Sequence, residues 1–146
     1  MKKHLLLLSC ILFFTSCTSV DNRLNIENVE EASTFASNIE NLLSELEFLK
    51  LEVLKLNSSK PPIQRILNEA DAFWIRGNLD QTNLQLERAL RISKNEGPIY
   101  LRLAHLRIEQ GLNKEAKAFA AKGLLINNLS NWERLLLNVY FQHDNS

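Results

Sequence analysis

The stretch "IYLRLAHLRIEQGLNKEAKAFAAKGLLI", Ile99 to Ile126, decides the fold. Gly111 ends one helical pattern in it and opens another, a place where a left-handed backbone costs glycine little. Sliding the sequence by 34 places sets Leu67 on Leu101, Ala70 on Ala104, Gly77 on Gly111, Leu90 on Leu124 and Ile92 on Ile126. Small Ala89 also lands on Gly123. Asn78, with Gln81 three residues on, has the pattern of a capping box for the helix after the first glycine. The expectation is two helical hairpins in tandem.

These residues resemble the tetratricopeptide repeat (TPR) family, whose unit is a helix–turn–helix of 34 residues. In the second copy Tyr100, Leu103, Ala104, Gly111, Ala116, Phe119, Gly123 and Leu124 fill the family's aromatic, aliphatic and small-residue slots. Ala70, Phe73, Gly77, Leu79, Leu86 and Ala89 do so in the first, with Thr82 where the family usually has alanine. The likeness runs from Ile63 to Asn128, and "SNWERLLLNVYFQ" adds one more helix, with Ser130 and Glu133 as a second capping-box pattern. Stacked repeats expose apolar ends that need covering. The resemblance therefore implies an all-α fold of about two TPR-like repeats plus a C-terminal capping helix.

It also implies a concave groove for a partner helix or apolar segment, lined by Leu67, Asp71, Trp74, Leu101, His105 and Ile108 and extended by Leu135 and Val139. Leu67 and Asp71 stand where chaperone-binding relatives carry a carboxylate clamp, so that subtype is disfavoured. Core packing is the alternative for Trp74 and Ile108, and a polar edge position is the alternative for His105. A third alternative has the chain's own upstream helix filling the groove.

That upstream segment, residues 26–57, contains neither Gly nor Pro. Its apolar residues Phe35, Ile39, Leu42, Leu46, Leu49, Val53 and Leu56 alternate steps of four and three, the period of a coiled-coil seam. Leu43, Phe48 and Leu51 fall off that stripe, where a solvated two-stranded coil would expose them. Two readings follow: a long amphipathic helix packed on its own domain, or a seam over residues 32–56 that forms a homodimer. "NSSKPP" ends the pattern, and residues 58–62 read as a linker because Pro61 and Pro62 suit only the first turn of a new helix. Residues 63–142 form the repeat domain and 143–146 a tail.

The chain opens "MKKHLLLLSCILFFTSC", with Lys2 and Lys3 before an apolar run too short to span a bilayer. Its ending resembles a bacterial lipobox, which implies cleavage after residue 16 and acylation of Cys17; an ordinary signal peptide is the alternative. Residues 17–25 would be a lipidated tether. Cleavage would leave Cys17 alone, which excludes an internal disulfide or thiol metal cluster. Thr18 resembles the outer-membrane sorting pattern of enteric bacteria, which implies a lipid-anchored protein facing the periplasm.

Basic and acidic residues balance at 17 each, so no basic field points to nucleic acid. No HExxH, CxxC, GxSxG or Gly-rich phosphate loop occurs, so no catalytic or metal site and no cofactor are expected. The expected role is a protein–protein interaction adaptor in the cell envelope, similar in order of parts to periplasmic coiled-coil-plus-TPR cell-division coordinators. The rival is a structural homo-oligomer without a dedicated peptide ligand.

Overall fold

Gly77 and Gly111 adopt φ of 75° and 72°, and each closes a helix by the same pair of hydrogen bonds. The N–H of Gly77 donates to the Trp74 carbonyl at 2.9 Å and that of Asn78 to Phe73 at 3.0 Å. At the second turn Gly111 donates to Ile108 at 2.9 Å and Leu112 to Arg107 at 2.8 Å. This is the Schellman pattern, in which a left-handed residue lets the chain turn back on its last carbonyls. One turn, repeated 34 places along, sets both helical hairpins.

The structure is a computed structural model that describes residues 34, 37, 38 and 41–143. The chain divides into Met1–Asn38 and Ile39–Ser146, and the six helices named next all lie in the second unit. Cys17, the 17–25 tether, Phe35 and Ile39 lie outside the described residues. Among the described residues the architecture is all-α, without strands. Its helices are α1 (Leu46–Leu54), α2 (Pro61–Ile75), α3 (Leu79–Ile92), α4 (Gly97–Glu109), α5 (Asn113–Leu124) and α6 (Asn131–Gln142). The helices α2 and α3 pack as one pair and α4 and α5 as another, α6 covers α4 and α5, and α1 packs on α4.

Local chemistry explains the helix starts. Pro61 and Pro62 occupy the first turn of α2, where the missing N–H would have had no helical partner anyway. Asn78 caps α3 by accepting the Gln81 N–H at 3.2 Å. Ser130 and Glu133 form the complete reciprocal box at the start of α6, with bonds of 3.2 Å and 2.8 Å. Helix α4 is the spine of the unit: every residue from Gly97 to Ile108 is buried. Thr82, the departure from alanine, sits fully buried with its hydroxyl donating to the Asn78 carbonyl at 2.8 Å. Its polar atom is thereby satisfied and only its methyl joins the core.

The upstream segment departs from the expected unbroken helix. Residues 41–44 are helical, but Glu45 has an extended ψ of 115°, and α1 begins after it. The break shifts the phase of the apolar face. Leu43 is buried while Leu42 and Leu46, both on the expected seam, are 41% and 39% exposed. Beyond the break Leu49 and Val53 are buried on the unit's own core, with Phe48, Leu54 and Leu56 packed beside them. The strict four–three stripe is the pattern of one straight seam; the chain instead buries two short stretches in different phases. Of the off-stripe residues, Leu43 and Phe48 pack on the core as self-packing requires, whereas Leu51 is exposed.

Candidate functional site

The residues expected to line an open groove are covered. Leu67 and Leu101 are fully buried, and Trp74, His105 and Ile108 nearly so. Leu67, Leu101 and Ile108 belong to the hydrophobic core. Trp74 belongs to that core as well, as its core-packing alternative has it. Its indole N–H, however, joins Asp71, His105, Arg102 and Glu109 in a polar lining beneath α1, with Tyr140 bonded behind His105.

Arg102 holds the C-terminal end of α1. Its side chain is fully buried, and its Nε and Nη2 donate to the two Asp71 carboxylate oxygens, both at 2.8 Å. Nη1 donates to the Leu56 carbonyl at 3.0 Å and to Pro98 at 3.3 Å, and Nη2 reaches the Leu54 carbonyl at 3.4 Å. The last carbonyls of a helix lack internal partners and carry partial negative charge. Helix α1 has no basic residue in its last turn. A guanidinium from α4 supplies both the donors and the charge, while Asp71 fixes the fork through a bidentate pair.

Halfway along α1, Lys50 makes the second anchor. Its ammonium lies 2.8 Å from Glu109 Oε1 and 5.0 Å from the centre of the Trp74 ring. The other Glu109 oxygen accepts the Trp74 indole N–H at 2.7 Å. His105 stacks edge-on to Trp74 at 5.3 Å and to Tyr140 at 5.8 Å. Its Nδ1 lies 2.8 Å from the Tyr140 hydroxyl and its Nε2 3.5 Å from Glu109 Oε1. His105 is therefore an interior residue with both nitrogens engaged, not an edge residue.

Burial sets the electrostatics of this cluster. Desolvation lowers the His105 pKa to about 4, against the raising effect of Glu109. Burial alone would raise the Glu109 pKa, but its bonds to Lys50 and Trp74 outweigh that and hold it below the usual glutamate value. Burial pushes the Tyr140 hydroxyl far above its ordinary range, so it stays protonated and can donate to His105. Neutral His105 thus faces ionised Glu109, and Glu109 neutralises Lys50.

The connection after α1 is fastened separately. Ser58 donates its hydroxyl to Glu96 at 2.6 Å and its N–H to Gln64 Oε1 at 2.6 Å. Lys60 lies 3.1 Å from Glu96 and donates to Ser93 at 2.9 Å. Leu135, the expected extension of the groove, is 40% exposed, and Val139 packs half-buried on the core. Among the described residues no group of three His, Cys, Asp or Glu side chains is placed to hold a metal ion. No described helix is long and apolar enough to cross a membrane.

Sequence reasoning located Asp71, Trp74 and His105 but passed over Arg102, Glu109 and Tyr140. A carboxylate, Asp71, set among apolar lining positions was the available signal, because a half-buried acid calls for a cationic partner. Compared with known proteins, the chain matches no protein-family model, no curated protein and no solved structure.

Proposed function

We propose that this chain is a protein-interaction adaptor of TPR-like design, anchored through a lipid on Cys17 to a bacterial outer membrane and facing the periplasm, whose α2–α4–α6 lining binds an amphipathic helix. The observation that carries this reading is the seat of α1. A surface with a guanidinium aimed at helix-end carbonyls and an acid placed for a mid-helix lysine is built to receive a helix. The two Schellman turns 34 residues apart support the repeat design. No catalytic step enters the proposal, since His105 is committed to Tyr140 and Glu109.

The rival, a homo-oligomer zipped through residues 32–56, is less well supported. Leu49 and Val53, two of its seam positions, are already buried within the chain. Two measurements test the adaptor reading. Metabolic labelling with a fatty-acid analogue should mark the wild type and not Cys17→Ala, and label persisting in the variant would remove the anchor. Cross-linking in membranes should return a second protein; recovery of only the chain itself would favour the oligomer.

A further inference from the structure

Helix α1 is bounded by breaks: the extended Glu45 precedes it, and a non-helical stretch with bends at Ser59 and Lys60 follows. Ser58 is fastened to Glu96 and Gln64. Apart from the Arg102 bond to the Leu56 carbonyl and the packing of the Leu56 side chain, Lys55–Asn57 is the stretch that would let α1 move away from that fixed point. A nine-residue helix has no stability of its own in water. It stays helical because it buries Leu49 and Val53, pairs Lys50 with Glu109, and hands its last carbonyls to Arg102. Every one of those contacts is between α1 and the groove. If α1 left, the Schellman turns, the caps of α3 and α6 and the α4–α5–α6 contacts would all remain.

We infer that α1 is a displaceable internal ligand, and that its contacts spell out what the groove accepts from another protein: an amphipathic helix with apolar residues at i and i+4, a lysine or arginine at i+1, and a helix end within a turn of the second apolar residue. In α1 and just after it these places are Leu49, Val53, Lys50 and the carbonyls of Leu54 and Leu56. Charge complementarity singles out the cation at i+1, because Glu109 already balances against it across Trp74. The inference rests on the adaptor reading and adds two things to it: the partner's chemistry and its competition with the chain itself.

The affinity for an outside helix is reduced by the fraction of molecules whose groove is open. Weakening α1 in place, without touching the groove, must therefore raise that affinity by the same factor. Lys50→Met keeps the aliphatic stem and removes the ion pair and the cation over Trp74. A factor of about ten is the scale expected for a half-buried pair of this kind.

The test uses the full chain in detergent and a fluorescein-labelled peptide of residues 46–57, read by anisotropy. Expected is binding to the Lys50→Met chain about tenfold tighter than to wild type, and loss of most of that gain when the peptide itself carries methionine at its Lys50. Equal, weak binding by both chains would overturn the inference, while leaving a partner captured in membranes free to use another face. Loss of helical structure beyond the nine residues of α1 in Lys50→Met would also overturn it, since a displaceable segment cannot be required for the fold of α2–α6. A concentration-dependent dimer of the Lys50→Met chain by light scattering would assign the groove to a second copy and overturn the choice of a foreign helix.

Discussion

At the residue scale, Arg102 on α4 ties α2 to the end of α1. Its fully buried guanidinium serves Asp71 and the carbonyls of Leu54, Leu56 and Pro98. Removing one partner of a buried pair leaves the other charge unpaired, at a cost of about 3–5 kcal/mol. Arg102→Met should therefore lower the unfolding free energy measured in urea by an amount in that range, while Asp71→Leu combined with Arg102→Met should recover much of it. Arg102→Lys should not restore the wild type, because an ammonium cannot span a carboxylate and two carbonyls at once. His105 gives a prediction with a definite sign. Its folded pKa of about 4 lies below the ordinary 6.5, so the unfolded chain binds the extra proton and stability falls as pH drops from about 6.5 to about 4. Between pH 7 and 5 the loss should be about 2 kcal/mol. Glu109, held low, adds a loss in the same direction at still lower pH. Urea melts at pH 7 and 5 check this, and His105→Phe should flatten the difference. The sequence showed Asp71 and His105 as polar residues in apolar company. It could not show that both are satisfied by residues 31 and 35 places away, because such pairings depend on which helix faces meet.

Among the elements, the paired helices were legible because their signals are local. Gly77, Gly111, Pro61, Pro62, Asn78 and Ser130 each state a backbone geometry within a few residues, and each holds it. The two kinds of glycine should respond differently to substitution. At Gly111 an added Cβ meets nothing within 4 Å, but φ is 72°, so Gly111→Ala should cost about 1 kcal/mol through the backbone. At Gly123 the backbone is ordinary, but the Cβ would lie 2.8 Å from Leu137 Cδ2 and 3.0 Å from Tyr100 Cβ. Gly123→Val should cost more, about 2–3 kcal/mol, by forcing α5 away from α4 and α6. Thermal melts of the two variants, compared at one concentration, would show that order; a larger loss in Gly111→Ala would contradict the packing described. The upstream helix was the least legible element. Its leucines are dense enough to fit more than one stripe, so periodicity alone could not place the break at Glu45. What decides the phase is which leucines find a surface, and that surface is made by α4, more than 40 residues later.

For the molecule as a whole, the all-α architecture followed from composition and a repeated turn, whereas the state of the groove depended on which surface α1 finds. An open lining and an occupied one are compatible with the same residues at Leu67, Trp74 and Leu101. The difference lies in Lys50, Arg102 and Glu109, which mean little apart and fasten a helix when brought together. The central claim, that α1 is seated yet separable from the rest, makes a prediction about how the fold opens. Parts of a protein held by few contacts open without the whole unfolding. Native-state hydrogen exchange on the full chain, following the amides of Leu49–Leu54 against those of Leu101–Ile108, measures this directly. The account predicts that the α1 amides are protected and exchange through an opening of lower free energy that leaves α4 closed. A single shared opening free energy for α1 and α4, or α1 amides with no protection at all, would contradict it.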